Sequence, residues 1–301
     1  MIKMVMIGCN FISQFYKMGF EQSNNVELVA VCDYNEQCFG RQFYKDLPFY
    51  TDYKQMIKEI KPDVALLLTP NTTHFNIAKD CLSMGVNVIM EKPFCATLQE
   101  VYDLYDIARA NNKRVECIYH FAVGDEAVWL KNNISKYGKV LRYSFYLHEQ
   151  YAWNDEHVLI KEKEHLGDSF TDAGINALSV IDFVVDLNNV RKTREIAYYD
   201  NTSGCMIYGH KTFVNDAGVE FDIMADYMTM DKTKISVIDL DTGRILIDHQ
   251  KQTIYFNGEC IYKNIPKIHR MHFQYINYLK NFAFDKDDEE RTKRLHKILY
   301  M

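Results

Sequence analysis

Short apolar runs alternate with longer segments of helical spacing over the first 119 residues. The runs occupy residues 2–7, 26–32, 64–68, 86–90 and 115–119. Each is apolar almost throughout, which is typical of a strand covered on both faces of a parallel sheet. Between them, apolar residues recur at helical spacing, as with Ile77, Cys81 and Leu82 or Val101 and Leu104. The alternation predicts β-α-β units and a sheet of five parallel strands.

The pattern changes after residue 119. A helix is predicted near residues 126–135 and an alternating strand at 140–148, followed by further β-like runs. The turn signals at residues 215–218, 241–243 and 257–258 predict hairpins. We therefore expect an α/β chain whose second domain is α+β, with a large, open, mostly antiparallel sheet. The predicted domains are residues 1–121 and 122–301.

Two stretches close the chain. A last amphipathic helix is predicted at residues 268–284. The charged run at 285–294 is interpreted as a solvated surface, in part helical, with no function assigned.

Composition narrows the class of protein. The chain has 301 residues, 48% hydrophobic and 25% charged, as in soluble globular proteins of two domains. A net charge of -6 argues against a nucleic-acid partner. The longest apolar runs are too short for a membrane span and no signal peptide is recognised, so a cytoplasmic location is expected. The eight cysteines form no Cys-x-x-Cys pair, which favours free thiols over disulfides or a metal site.

The first run ends in the sequence Gly8-Cys9-Asn10-Phe11-Ile12-Ser13, where the glycine-rich loop of a dinucleotide-binding Rossmann domain would lie. Gly8 permits the tight turn, whereas Asn10 and Ser13 replace the second and third glycines. Asp33 ends the second run, where a carboxylate accepts hydrogen bonds from ribose hydroxyls and repels a 2′-phosphate. This favours NAD, with NADP as the alternative. In the competing interpretation, Asp33 only begins a turn.

Two further motifs follow the third and fourth runs. Thr69-Pro70-Asn71 with His74 lies at the carboxyl edge of the sheet, where ligands of such folds bind, although His74 could equally pack at the start of a helix. Glu91-Lys92-Pro93 closes the fourth run. With the glycine-rich loop and a signature in the second half, these motifs resemble the glucose-fructose oxidoreductase / inositol dehydrogenase (Gfo/Idh/MocA) family. The predicted cofactor-binding residues are Gly8, Asn10, Phe11, Ile12, Asp33, Thr69, Pro70, Asn71, His74, Glu91 and Lys92.

The resemblance implies that Lys92 contacts the reacting hydroxyl or carbonyl group. An ammonium beside that oxygen stabilises the negative charge that develops on it during hydride transfer. The alternative is a surface lysine that precedes a proline.

The second signature, residues 167–176, departs from the family pattern. Asn176 follows Asp172 by four residues, where relatives carry a histidine that acts as the catalytic acid and base, and Ser179 stands where they often carry an acid. The spacing places Asp172 and Asn176 on one helical face. Because an amide exchanges no proton near neutral pH, the proton role passes to Lys92, helped by Asp172, or is lost.

Lys92 and Asp172 are the predicted catalytic residues, and Asn176, Tyr151 and Trp153 the predicted substrate contacts. Histidines 148, 157 and 165 are expected near the cleft, where any of them could supply the missing proton; a surface or packing role is favoured for each, and none is assigned as catalytic.

The leading hypothesis is an NAD(P)-dependent oxidoreductase that transfers a hydride to or from a carbinol or ketone carbon of a sugar, cyclitol or related polyol. The changes at Asn176 and Ser179 keep a second hypothesis open, a catalytically impaired regulatory or binding protein that retains the nucleotide pocket. A third is a reductase of C=C or C=N bonds, because one fold hosts many reactions. The open sheet is expected to pack on another copy of the chain, as a homodimer or homotetramer.

Overall fold

The computed structural model describes residues 1–150, 168–201, 203–264 and 268–301. It divides into two compact units, one formed by residues 1–120 and 268–296 and the other by residues 121–267 and 297–301. The segment 268–296 therefore groups with the N-terminal unit, whereas the sequence placed it in the second domain.

The first unit is built on a six-stranded parallel sheet. Its strands are β1 (Ile2–Ile7), β2 (Val26–Cys32), β3 (Phe49–Tyr50), β4 (Val64–Leu67), β5 (Asn87–Glu91) and β6 (Val115–Ile118). They lie in the order β3-β2-β1-β4-β5-β6, which is a Rossmann arrangement that confirms the five predicted strands. The sequence analysis missed β3, because two residues are too few to produce a pattern.

Four helices connect these strands: α1 (Lys17–Glu21), α2 (Tyr53–Ile60), α3 (Asn71–Ser83) and α4 (Leu98–Ala110). The start of α4 has a capping box. The Thr97 hydroxyl accepts the Glu100 N–H at 3.2 Å, and the Glu100 carboxylate accepts the Thr97 N–H at 3.1 Å. Such reciprocal bonds satisfy donors that the first helical turn leaves unpaired.

The second unit is built on an eight-stranded sheet with the order β14-β13-β12-β11-β7-β10-β9-β8. Its strands are β7 (Val140–His148), β8 (Val190–Tyr199), β9 (Met206–Asn215), β10 (Glu220–Asp226), β11 (Thr233–Leu240), β12 (Gly243–Asp248), β13 (Thr253–Phe256) and β14 (Glu259–Lys263). Among its described strands only β7 and β10 pair in parallel, so the prediction of an open, mostly antiparallel sheet is confirmed. The described residues of this unit include two α-helices, α5 (Asp125–Asn133) and α6 (Ile175–Ile181).

Two final helices are α7 (Arg270–Leu279) and α8 (Asp288–Leu299). Tyr275 and Leu279 of α7 are fully buried in the core cluster of the first unit, together with Met6 of β1 and Leu66 of β4. A Cβ atom on Gly19 would lie 2.8 Å from the Tyr275 carbonyl oxygen, so α1 and α7 approach each other closely. This packing explains why α7 groups with the N-terminal unit. No helix in the described part of the chain is long and apolar enough to cross a membrane.

Candidate functional site

The loop after β1 requires a glycine at its first position. Gly8 has a φ of +92°, and a Cβ atom there would lie 2.7 Å from the Leu68 carbonyl carbon. The Gly8 N–H donates to the Cys32 carbonyl oxygen at 2.8 Å, so the loop is held against the ends of both neighbouring strands. Asn10 has a φ of -111° and a ψ of -151°, an extended conformation that any residue adopts. The loss of the second glycine therefore leaves the backbone of the loop unstrained.

Ser13 stands where the usual loop has its third glycine, and a glycine from another segment of the chain packs closely against it. Ser13 is fully buried and its hydroxyl donates to the Asn10 carbonyl oxygen at 2.6 Å. A Cβ atom on Gly40, in the 3₁₀ segment Phe39–Phe43, would lie 2.1 Å from the Ser13 hydroxyl oxygen, and the Gly40 N–H donates to the Cys9 carbonyl at 2.9 Å. The glycine that allows the two segments to approach each other closely is therefore Gly40, which the sequence analysis did not identify.

The Asp33 carboxylate lies against the same loop. Its Oδ2 accepts the Cys9 N–H at 2.8 Å and its Oδ1 accepts the Asn35 N–H at 3.0 Å. Asp33 therefore begins a turn and also bonds the glycine loop, and its role as a ribose contact stays a prediction. Each carboxylate oxygen has a second lone pair, which suits a ribose hydroxyl of a dinucleotide. On these observations the residues of the loop fit a bound NAD.

The side chain of Phe11 stands next to this loop and is 63% exposed. Its ring centroid lies 5.7 Å from that of Phe15 and 5.9 Å from that of Phe39. Ile12 is half-buried. Gly8, Asn10, Phe11 and Ile12 are thus contiguous along one loop, with Asp33 bonded to it.

The motif after β4 is connected to the motif after β5 through His74. The His74 ring is buried, with Nε2 at 2.9 Å from the Thr69 carbonyl oxygen and Nδ1 at 3.0 Å from the Pro93 carbonyl oxygen. Burial lowers the pKa of His74, and the charge of Lys92 acts in the same direction. The structure thus gives His74 two backbone contacts, and its assignment as a cofactor contact stays a prediction.

Glu91, the first residue of the Glu-Lys-Pro motif, is an internal anchor. Its Oε1 accepts the hydroxyl groups of Tyr16 and Tyr275, each at 2.6 Å, and these two rings stack with centroids 3.9 Å apart. Burial raises the pKa of Glu91, while the two tyrosines and the charge of Lys92 oppose that rise. Lys92 itself is half-buried, and the Lys92–Pro93 peptide bond is cis. The motif therefore places a buried carboxylate and the candidate catalytic ammonium side by side along the chain.

The second signature lies in the second unit, at the start of α6. Asp172 is in a π-helical turn, Phe170–Gly174, and its Oδ2 accepts the Tyr227 hydroxyl at 2.5 Å. Asn176 is only 6% exposed, and its Nδ2 lies 3.5 Å from the Asp172 carbonyl oxygen. Within the described residues no donor reaches Asn176 Oδ1, so this buried amide oxygen keeps its hydrogen-bonding capacity. Ser179 is buried and donates to the Asn176 carbonyl oxygen at 2.7 Å.

Tyr227 is a candidate that sequence reasoning missed. It follows β10, is 5% exposed and donates its hydroxyl to Asp172. The chain has 21 tyrosines and nothing in the local pattern distinguishes this one. The predicted contacts Tyr151 and Trp153 lie outside the described residues, as do histidines 157 and 165. His148 is half-buried, with Nδ1 3.8 Å from Asp226 Oδ2.

A family model described as an oxidoreductase family with an NAD-binding Rossmann fold, Gfo/Idh/MocA, matches residues 2–119. D-glucoside 3-dehydrogenase of Escherichia coli strain K12 is 28% identical over 115 residues, 37% of this chain and 32% of that protein. Glycosyl hydrolase family 109 protein 2 of Akkermansia muciniphila is 29% identical over 119 residues, 36% of this chain and 25% of that protein. The match spans a quarter to a third of the length of these relatives.

Solved structures extend the likeness of fold to nearly the whole chain. An oxidoreductase from Agrobacterium radiobacter in complex with NAD⁺, L-tartaric acid and magnesium superimposes with a TM-score of 0.78 at 13% identity, covering 99% of this chain and 94% of that one. KijD10, a 3-ketoreductase from Actinomadura kijaniata in complex with NADP and TDP-benzene, gives 0.82 at 12% identity, covering 99% and 96%. At these identities the likeness is one of fold.

Proposed function

We propose that the protein is an NAD-dependent dehydrogenase or reductase, on the premise that its residues 2–119 match the Gfo/Idh/MocA oxidoreductase family with an NAD-binding Rossmann fold. Its substrate is a sugar, cyclitol or related polyol that reacts at a carbinol or ketone carbon. The observation that carries the proposal is the Asp33 carboxylate bonded to the Gly8 loop, in the same domain as Lys92.

The glycine loop and Asp33 hold the cofactor. The backbone around Gly8 and Asn10 approaches the pyrophosphate, and Asp33 accepts the ribose hydroxyls. A carboxylate at that place disfavours the 2′-phosphate of NADP. The bound cofactor supplies or accepts the hydride.

Lys92 polarises the reacting oxygen and stabilises the charge that develops on it. Asn176 contributes its buried Oδ1, which within the described residues has no donor, as an acceptor for a substrate hydroxyl. Asp172 orients the substrate. The Tyr227 hydroxyl, bonded to Asp172 at 2.5 Å, bears an exchangeable proton, which the Asn176 amide lacks near neutral pH. We assign to Tyr227 the proton role that a histidine has in the family.

We also propose that the protein forms a homodimer or homotetramer through the eight-stranded sheet. The face of this sheet that carries Tyr198 and Leu246 exposes 61% and 38% of these two side chains. Apolar side chains of this size on a broad sheet face are typical of an interface.

The test is a fluorescence titration with NADH and NADPH. We expect NADH to bind more tightly than NADPH, and Asp33→Ala to weaken NADH binding by about 10- to 100-fold, because hydrogen bonds to a charged group contribute about 1.5–3 kcal/mol. Asp46→Ala, an exposed carboxylate of the same unit, is the matched control. Absence of binding for both nucleotides would contradict the proposal.

Turnover is then screened on polyols, sugars, cyclitols and a glycoside, with Lys92→Ala as the variant that we expect to be inactive. NADH binding without turnover of any substrate would favour the impaired binding protein. Turnover only of C=C or C=N substrates would favour the third hypothesis.

A further inference from the structure

The Pro93–Phe94 peptide group, which lies one residue beyond Lys92, is held at both of its polar atoms by buried histidines. The Pro93 carbonyl oxygen lies 3.0 Å from His74 Nδ1, and the Phe94 N–H donates to His296 Nε2 at 3.0 Å. These are the oxygen and the nitrogen of the same peptide bond. We propose that His74 and His296 are positioning residues that form a clamp on the Lys92 turn and so place the Lys92 ammonium. This inference rests on the proposed function for the role of Lys92 only.

The contacts of His296 define the protonation state of its ring. His296 is fully buried in α8, and its Nδ1 lies 2.9 Å from the Thr292 carbonyl oxygen. That oxygen is an acceptor, so Nδ1 carries the hydrogen, and Nε2 must present a lone pair to the Phe94 N–H. Only the neutral Nδ1–H tautomer makes both bonds. Burial lowers the pKa of His296 to about 4, which keeps the ring neutral near pH 7.

His74 has a different pair of partners. Both of its ring nitrogens face carbonyl oxygens, those of Thr69 and Pro93, at 2.9 and 3.0 Å. A neutral imidazole has one N–H and can satisfy only one of them, whereas an imidazolium satisfies both. Burial and the charge of Lys92 disfavour the imidazolium. A neutral His74 therefore donates to only one of the two carbonyl oxygens, whereas a neutral His296 makes both of its bonds.

The ring of Phe94 packs against two further aromatic rings and so helps to hold the Lys92 turn. It stacks on Tyr105 with centroids 5.1 Å apart and meets the His296 ring edge-on at 6.1 Å. The turn is thus attached to α3 through His74, to α4 through Tyr105 and to α8 through His296. Since a misplacement of about 1 Å can cost about 100-fold in rate, loosening this peptide group should lower turnover.

The experiment compares His296→Leu, which removes the acceptor, with His296→Gln, which offers an amide oxygen in its place. Leu295→Ala is the control for a structural defect, because Leu295 is equally buried in the same helix. In the wild-type protein, ¹⁵N spectra of the histidine rings should show His296 as the neutral Nδ1–H tautomer down to about pH 5. A His296 that titrates near 6.5 or carries its hydrogen on Nε2 would overturn the clamp.

Hydrogen exchange of the Phe94 amide is the second measurement. It should be at least about 10-fold faster in His296→Leu than in the wild type, relative to the amides of neighbouring strands, and it should recover in His296→Gln. Leu295→Ala should leave that ratio unchanged. Equal exchange in all four proteins would refute the bond to His296.

The positioning role is measured at Lys92 itself. The NMR titration of the Lys92 ammonium should shift in His296→Leu, recover in His296→Gln and stay at the wild-type position in Leu295→Ala. With a substrate from the panel, kcat should fall about 10-fold in His296→Leu while the KM for NADH stays constant. An unshifted Lys92 titration would overturn the positioning role. If the wild-type protein turned over no substrate, the proposed function would fail, whereas the clamp would still be decided by the ring spectra, the exchange rates and the Lys92 titration.

Discussion

At the residue scale, Asn176 stands where the resemblance to the family implies a catalytic histidine. Asp172, whose backbone carbonyl lies near the Asn176 amide, forms a pair with Tyr227. A phenol that donates to a carboxylate at 2.5 Å is a charge-assisted hydrogen bond. The Tyr227 hydroxyl is thereby held in place and can act as a proton donor or acceptor. Asn176 offers no such exchange, so its side chain is suited to binding and Tyr227 to proton transfer.

Tyr227→Phe tests this assignment. Removing the hydroxyl should lower kcat by about 100-fold, as is typical for the loss of a general acid or base, while the affinity for NADH stays at the wild-type value. Tyr198→Phe, an exposed tyrosine of the same unit, is the control. A kcat within twofold of the wild type would remove Tyr227 from the reaction and leave it a structural partner of Asp172.

At this scale the sequence predicted the positions of residues that directly follow a strand. Gly8 and Asp33 follow buried strands and are bonded to one loop, as their spacing predicted. Gly40 and Tyr227 were missed, because each acts on a residue 27 or more positions away through a contact that only folding creates.

At the element scale, the buried face of α8 is mostly polar, so the hydrophobic pattern of the sequence does not reveal it. The segment 285–294 looked like a solvated charge run, yet Asp288, Thr292, Leu295 and His296 are buried at helical spacing. Three of these four are polar, so the stripe carries little hydrophobicity. Each polar member has a partner instead: Tyr105 donates to Asp288, and Tyr119 to Thr292.

Asp288 makes stability depend on pH with a definite sign. Burial, assisted by the charge of Glu116, raises the pKa of Asp288 to about 8 from its usual value of 3.8. As pH rises through this window the unfolded chain ionises first, so the contribution of Asp288 is fully present below pH 4 and is lost towards pH 8. His296, with its pKa lowered to about 4, has the opposite sign: its contribution is lost as pH falls from 6.5 to 4.

Asp288→Asn should therefore reduce the loss of stability between pH 5 and pH 8. The expected change in slope is up to about 1.4 kcal/mol per pH unit, measured as the free energy of unfolding in urea at several pH values. The amide oxygen can still accept the Tyr105 hydroxyl. Asp287→Asn, an exposed neighbour, should leave the profile unchanged, and an Asp288→Asn profile parallel to the wild type would contradict the assignment.

At the scale of the whole molecule, the two faces of the eight-stranded sheet differ. Tyr143, Phe145 and Phe221 face the core and are fully buried. The other face carries a polar cluster in which Asp222 accepts from Arg142 at 2.9 Å, from Ser144 at 2.7 Å and lies 3.0 Å from His210 Nε2. Apolar side chains, Leu246 among them, flank this cluster. Charges that are already paired lower the cost of covering such a face with a second copy.

Leu246→Arg tests the proposed assembly. If this face is the interface, the wild-type protein should sediment as a multiple of the 35.4 kDa chain, and the substitution should shift it towards the monomer by placing a charge in an apolar contact. Val128→Arg, which changes a side chain of α5 that is 41% exposed, is the control. A wild-type protein that sediments as a monomer would refute the proposal.

The sequence by itself determined the elements and the positions of the motifs. Runs of apolar residues specify buried parallel strands, and a left-handed glycine or a carboxylate at a strand end depends on neighbours along the chain. These local rules were sufficient for five of the six strands of the Rossmann sheet, for the open second sheet and for placing Gly8 and Asp33 at strand ends.

Tertiary structure decided what holds these motifs. The anchoring of Glu91 by Tyr275, the bond from Phe94 to His296 and the grouping of α7 with the first unit join residues that are up to 202 positions apart. Such contacts produce no periodic pattern in the sequence. The partner of a buried polar atom is the group that lies near it in the folded chain, and the spacing of residues along the sequence does not identify that group.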